Sequence, residues 1–246
     1  MLFVRSLIFT FNKVVSALIM AVFSLLTFPF PFHVRYRFTV LWARYIVWTL
    51  KIICHLDYKI EGTENIPNKA AIILAKHQSA WETIAFQGIF PPQTWVLKRE
   101  LLWIPFFGWA LALLKPVAIN RKAGRAAIQQ VIDQGKKRLD EGIWIMIFPE
   151  GTRKPPGVRG RYKPGGALLA ESSGYSVVPV AHNAGEYWPR NAFTIRPGTI
   201  HVVVGPTILP KGLTASEVNQ RAESWIESTM ARISTISYPL DEKTPG

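Results

Sequence analysis

The hydrophobic rhythm changes along the chain. No charge occurs between Lys13 and Arg35, and the apolar run Val14 to Phe28 predicts a helix that Pro29 and Pro31 stop. That run is short for a bilayer span, which needs roughly 20 apolar residues. Reaching back to Leu2 supplies the length only by taking in Arg5, Asn12 and Lys13. In the next stretch, Arg37, Arg44 and Lys51 recur at seven-residue spacing and share one face of a predicted helix. Around them lie Leu41, Trp42, Tyr45, Ile46, Trp48 and Ile52. A basic stripe on so apolar a helix suits the headgroup layer of an anionic membrane. The competing reading is a solvated face on a helix packed against the core. Positive charge flanks the first helix on both sides, so the positive-inside bias gives no direction. A hairpin dipping into one leaflet from the cytosolic side satisfies both flanks, with a single span as the alternative. A signal peptide is disfavoured, because Phe-Pro-Phe-Pro-Phe stands where small residues would mark cleavage.

From about Asp57 short apolar runs alternate with helical periodicity. The runs AAIILA (70–75), TWVLK (94–98), PVAIN (116–120), IWIMIF (143–148), VVPVA (177–181) and TIHVVVG (199–205) predict strands. Helical spacing covers about 79–90, 121–140, a short piece ending near Ser172, and 215–233. This alternation implies an α/β fold, with a mixed, largely parallel sheet covered by helices. The expected organisation is an N-terminal two-helix membrane-associating motif over 1–56, a catalytic domain over 57–236 and a loose tail over 237–246.

Composition narrows the partners. The net charge of +13 points to an acidic one: nucleic acid, anionic lipid or a phosphorylated substrate. Between Lys98 and Lys163 fourteen basic residues outnumber five acidic ones, which suits an anion funnel, part of it an ordinary solvated helix face. The single cysteine, Cys54, excludes a disulfide within the chain and a cysteine-rich zinc site, and its apolar setting reads as a buried small residue. The histidines show no ligand spacing, and a metal site is not expected.

Two segments carry candidate chemistry. In KHQSAWET (76–83), His77 follows a predicted buried strand and Glu82 is the one carboxylate near it. A carboxylate on one ring nitrogen would fix the tautomer and leave the other as a general base. Ser79-Ala80-Trp81-Glu82 is equally a capping box, and the local sequence does not choose between cap and catalytic partner. FPEGTR (148–153) places Glu150, a glycine turn at Gly151, Thr152 and Arg153 after another apolar run. Arg153 could hold a phosphate bidentately, whereas an ionised Glu150 only accepts and suits hydroxyls or an arginine. The competing reading is a surface turn with incidental charge. Arg121 at the end of PVAIN and Lys163 in RGRYKPGG add further cations.

In order and spacing, KHQSAWE, VAINR, FPEGTR and VVPVA resemble the motifs of the 1-acylglycerol-3-phosphate acyltransferase family, and KRELLWIPFFGW (98–109) resembles the segment between the first two. The resemblance covers roughly Glu61 to Gly205. The family's usual aspartate is Glu82 here, and the Val-Pro-Val strand runs into His182, for which the sequence offers no role.

The resemblance implies a glycerolphosphate acyltransferase-like fold without a cofactor. His77, oriented by Glu82, would deprotonate the sn-2 hydroxyl of lysophosphatidic acid for attack on the thioester of acyl-CoA or acyl-carrier protein. Arg121, Arg153 and Lys163 would hold the phosphate, and Glu150, Gly151 and Thr152 would shape the glycerol pocket. The partners implied are lysophosphatidic acid, an acyl thioester and anionic membrane lipid, at the cytoplasmic face of the inner membrane and without nucleic acid. The alternatives are another lyso-lipid acceptor, such as a lyso-ornithine lipid or a larger lysophospholipid, a basic nucleic-acid-binding protein, and an inactive membrane scaffold.

Overall fold

The computed structural model describes residues 1–238. Seven strands form one sheet: β1 (Leu56–Glu61), β2 (Ile72–Ala75), β3 (Gln93–Lys98), β4 (Val117–Ile119), β5 (Trp144–Ile147), β6 (Val177–His182) and β7 (Gly198–Val204). Their order is β1-β7-β6-β2-β5-β3-β4, parallel throughout except where β7 runs against β6. The carboxyl ends of β2 to β6 therefore share one edge. In an open α/β sheet that edge is where ligands bind.

Alternate residues of the central strands feed two cores. Ile73, Met146, Val178 and Val180 face one side with Trp81 and Phe86. Ile72, Leu74, Ile145 and Ile147 face the other with Val131, Leu169, Val218 and Ile226. The first side is covered by α2 (Phe32–Cys54) and α3 (Trp81–Ile89). The second is covered by α5 (Arg125–Asp140), α6 (Gly165–Ser173) and α8 (Ala215–Ile233). Two short helices, α4 (Phe107–Ala112) and α7 (Ala184–Tyr187), complete the fold. Cys54 is buried in the first core, as its apolar setting implied.

The first helix departs from the periodicity. It begins at Leu2, so α1 (Leu2–Leu26) includes the polar residues that seemed to exclude it. Asn12 and Lys13 among them face the protein, as does Ser6. Ser6 is fully buried and accepts from the Ile195 N–H at 2.9 Å. Asn12 accepts from the Tyr45 hydroxyl at 2.6 Å, and the Lys13 ammonium lies 4.7 Å from the Trp188 ring. The apolar side, including Phe3, Leu7, Phe11, Leu18, Val22 and Leu26, is exposed. The helix is turned inside out relative to a soluble one, its polar side being docked on the protein. Phe9 on α1 and Ile46 and Leu50 on α2 belong to the same core as the strands, so the N-terminal pair is part of the domain's packing.

On α2, Arg37, Arg44 and Lys51 are exposed beside Leu41, Trp48 and Ile52. Lys51 is committed to Asp57 at 2.7 Å, which leaves Arg37 and Arg44 to carry the stripe. A second apolar surface had no periodic signal. Trp103, Ile104, Phe106, Phe107 and Trp109, around α4, are exposed, and α4 packs beside α1.

β1 had no clear apolar run because it is an edge strand. Leu56 is buried, Asp57, Lys59 and Glu61 carry charge, and β7 is its one neighbour. In the expected tail, Tyr238 is buried and donates to the Val158 carbonyl at 3.2 Å. Residues 239–246 of that tail lie outside the described residues.

Candidate active site

His77 stands just past the end of β2, and the chain then turns into α3. Its Nδ1 lies 2.8 Å from Glu82 Oε1. The same oxygen accepts the Gln78 N–H at 3.0 Å and the Ser79 N–H at 2.8 Å. Cap and partner are therefore one carboxylate. The reciprocal half of a capping box is not made, because the Ser79 hydroxyl accepts from the Trp81 N–H instead. Despite the extra methylene of glutamate, the histidine–carboxylate contact is made, at 2.8 Å.

Glu82 is fully buried. Burial pushes its carboxyl up, but the His182 and His77 rings and the Ser79 N–H outweigh that and hold it below the usual carboxylate range. Burial keeps His182 itself below the ordinary imidazole value, and therefore neutral at neutral pH. The weight thus falls on His77 and the amides rather than on a charged His182. An ionised Glu82 only accepts, so Nδ1 of His77 carries the hydrogen and Nε2 keeps a free lone pair. The ring is stacked on Phe148 with centroids 4.0 Å apart and planes at 12°. Two sides of the imidazole are thus fixed, one by a hydrogen bond and one by an aromatic face.

Two cavities meet at His77. The first, of about 580 Å³, runs from Ala17, Met20 and Ala21 on α1 past Trp42 and Leu111 to His77. Arg121, Gly151, Thr152, Arg153 and Arg190 line its inner end. The second, of about 280 Å³, lies between the sheet edge and α5, with Ala127, Ile128 and Val131 in its wall. Arg121 and Gly151 border both cavities, Arg153 belongs to the first, and Lys163 to the second. The expected trio of phosphate cations is therefore divided: Lys163 does not join Arg153, because the Gly151 turn stands between them. Gly151 has φ +68°, and a side chain there would meet the Lys163 amine at 3.0 Å.

The loop is braced by arginines from other segments. Arg121 donates to the Gly151 carbonyl at 2.9 Å, and Arg190 donates to the Arg153 carbonyl at 3.3 Å. Arg153 Nε is buried without a hydrogen-bond partner among the described residues. Such an orphaned donor at the wall of a cavity suits an anionic ligand. Sequence reasoning missed Arg190, which lies far from the motifs and is brought in by the chain after α7.

Glu150 does not shape a glycerol pocket. Its side chain is buried and lines neither cavity that reaches His77. One oxygen takes the Lys76 ammonium at 2.8 Å and the Gly160 N–H at 3.1 Å, and the other takes the His77 N–H at 3.0 Å. Burial pushes this carboxyl up, and the Lys76 charge and the His77 amide only partly offset it. Removing one member of a buried ion pair costs on the order of 3–5 kcal/mol, since a buried charge is stranded. Glu150 thus belongs to the frame behind the site.

His182, which the sequence left without a role, joins the same frame. The Ala184 N–H donates to its Nδ1, so Nε2–H donates to the Lys76 carbonyl at 2.8 Å. Among the described residues, no group of three or more His, Cys, Asp or Glu side chains is placed to hold a metal ion.

Comparison with known proteins agrees with the motif order. A family model described as Acyltransferase matches residues 57–183. The chain is 45% identical over 248 aligned residues to a 1-acyl-sn-glycerol-3-phosphate acyltransferase of Pseudomonas aeruginosa, covering 99% of this chain and 96% of that protein. A protein of the same name from Saccharomyces cerevisiae is 28% identical, covering 80% of this chain and 66% of its own. Among solved structures, a 1-acyl-sn-glycerophosphate (LPA) acyltransferase of Thermotoga maritima superposes with a TM-score of 0.78 at 24% identity, covering 95% of this chain and 96% of that one. At that identity the superposition speaks for the fold alone.

Proposed function

The chain belongs to the 1-acyl-sn-glycerol-3-phosphate acyltransferase family, and from that premise we propose how its site transfers an acyl chain to lysophosphatidic acid to give phosphatidic acid. The observation that carries the proposal is the buried Glu82 holding Nδ1 of His77 at 2.8 Å, with His77 lining a cavity that Arg121, Arg153 and Arg190 also line. His77 Nε2 takes the proton of the sn-2 hydroxyl as that oxygen attacks the thioester carbonyl. Collapse of the tetrahedral adduct breaks the C–S bond, and the imidazolium returns the proton to the leaving thiolate. No acyl-enzyme is formed. Glu82 stabilises the imidazolium without taking its proton.

Both substrates must be present at His77 together, and two cavities converge there. The lipid phosphate lies against Arg153, Arg190 and Arg121, beside the orphaned Arg153 Nε. The apolar length of the first cavity, between α1 and the domain, takes hydrocarbon. The phosphopantetheine arm common to acyl-CoA and acyl-carrier protein enters by the second cavity, with Lys163 and Arg121 for its phosphate.

Purified protein should be assayed on lysophosphatidic acid, lysophosphatidylcholine and lyso-ornithine lipid, with acyl-CoA and acyl-carrier protein as donors. Lysophosphatidic acid is expected to give the highest kcat/KM. Arg153→Ala should raise KM for it about 10–100-fold, the worth of a charge-assisted hydrogen bond of roughly 1.5–3 kcal/mol. A preference for another head group would move the chain to that acceptor, and an unchanged KM would place the phosphate elsewhere.

α1 is long and apolar enough to cross a membrane. Its polar side is nevertheless docked on Tyr45, Trp188 and Ile195, which supports a helix immersed in one leaflet. Arg37 and Arg44 then meet anionic headgroups, and the site draws lipid from the cytoplasmic face of the inner membrane. Washing membranes with 1 M salt reduces the Debye length to about 3 Å but leaves apolar immersion intact. The protein is expected to stay bound, and complete release would mean that α1 does not insert.

A further inference from the structure

A lysine directly before the proposed base is completely buried, and neither cavity that reaches His77 contains it. We propose that Lys76 is a positioning residue for His77, acting through a buried charge cluster with Glu150 and Glu227. This rests on the reading of His77 as the base.

An ammonium removed from water needs acceptors for its N–H groups. Lys76 Nζ has Glu150 Oε1 at 2.8 Å, Glu227 Oε1 at 3.1 Å and the Val158 carbonyl at 3.3 Å, an acceptor for each of its three hydrogens. The other oxygen of Glu150 takes the His77 N–H. A chain of contacts thus leaves the Lys76 side chain and returns to the backbone one residue later. The remaining polar groups of this dipeptide backbone are also held. The Lys76 N–H donates to Val180 O at 3.0 Å, its carbonyl accepts from His182, and the His77 carbonyl accepts the Lys154 N–H at 2.8 Å.

The cluster therefore ties the end of β2 to the FPEGTR turn. Through Glu227 it also ties that strand end to α8, more than a hundred residues away in sequence. Stability alone does not explain it, because a buried ion cluster roughly breaks even against apolar side chains of similar volume. What apolar packing could not supply is the hydrogen bond that the His77 N–H donates to Glu150. A misplacement of about 1 Å at a reacting group can cost about 10²-fold in rate, and this frame prevents it.

The test uses the full-length protein with Lys76→Met and Glu227→Gln combined, so that one charge of each sign is removed, beside Lys76→Arg and His77→Ala. With folding checked by thermal melting, the double variant should lose about 10–100-fold in kcat. KM for both substrates should stay within about twofold, the signature of an altered reacting geometry rather than altered binding. Lys76→Arg should recover part of kcat. A folded double variant with wild-type kcat, or one changed in KM alone, overturns the proposal. Should the double variant not fold, Glu227→Gln alone keeps the Lys76–Glu150 pair and is expected to lower kcat a few-fold, and an unchanged kcat there is equally decisive against it. If His77→Ala remains active, the base reading fails and the positioning role falls with it. If His77→Ala is inactive while the double variant is not, the positioning role falls alone.

Discussion

Glu82→Gln is expected to lower kcat by about 10–10³-fold, because the charge that stabilises the imidazolium is removed; an adjacent opposite charge is worth roughly 1.4–4 kcal/mol to a charged group. One oxygen of Glu82 meets His77 Nδ1 and accepts the Gln78 and Ser79 N–H bonds. The amide oxygen of glutamine in that place keeps all three contacts, so the turn into α3 and the tautomer of His77 survive. What is lost is the negative charge beside the imidazole as it takes the substrate proton. Unfolding should shift by only a few degrees, since the hydrogen bonds to the backbone persist. A variant of wild-type stability and wild-type kcat would mean that Glu82 is a cap and nothing more. Stability offers a second check. The folded Glu82 carboxyl lies below its ordinary value, so its contribution is complete above the unfolded value and is lost as pH falls through the folded one. The difference in melting temperature between wild type and Glu82→Gln should therefore shrink in acid.

His77→Ala should lower kcat by about 10²–10⁴-fold, the contribution of a positioned general base. The other ionisable side chains at the inner end of the first cavity are Arg121, Arg153 and Arg190, with Lys98 further along the wall, and these donate rather than accept. Among the described residues, no other side chain lining that cavity carries an ionisable acceptor for the proton. Membrane association should be unchanged, because α1 and α2 do not depend on the imidazole. Single-turnover assays with lysophosphatidic acid would measure the loss, and activity within a factor of about three of wild type would sink the mechanism.

Much of the fold was legible in the sequence. Six of the seven strands coincide with apolar runs, and α8 matches its periodic stretch from Ala215 to Ile233. β1 escaped because an edge strand needs only half its residues apolar. The start of α1 escaped because Arg5, Asn12 and Lys13 look like interruptions when the helix is imagined alone in lipid. Docked on Tyr45 and Trp188, two of those three have protein partners.

The site divides in the same way. The local sequence determined that a histidine with a carboxylate five residues on, and a glycine turn with an arginine, would follow buried strands. Those are short-range facts, set by strand periodicity and by the backbone freedom of glycine. Only the tertiary structure decided what each charge does. Glu82 is both cap and partner, because one carboxylate reaches His77 and two amides at once. Glu150 faces inward to Lys76, Lys163 is separated from Arg153 by the Gly151 turn, and Arg190 and Glu227 arrive from distant segments. The physical reason is that a buried charge is defined by whatever replaces its water, and here those replacements come from strands and helices far apart in the chain.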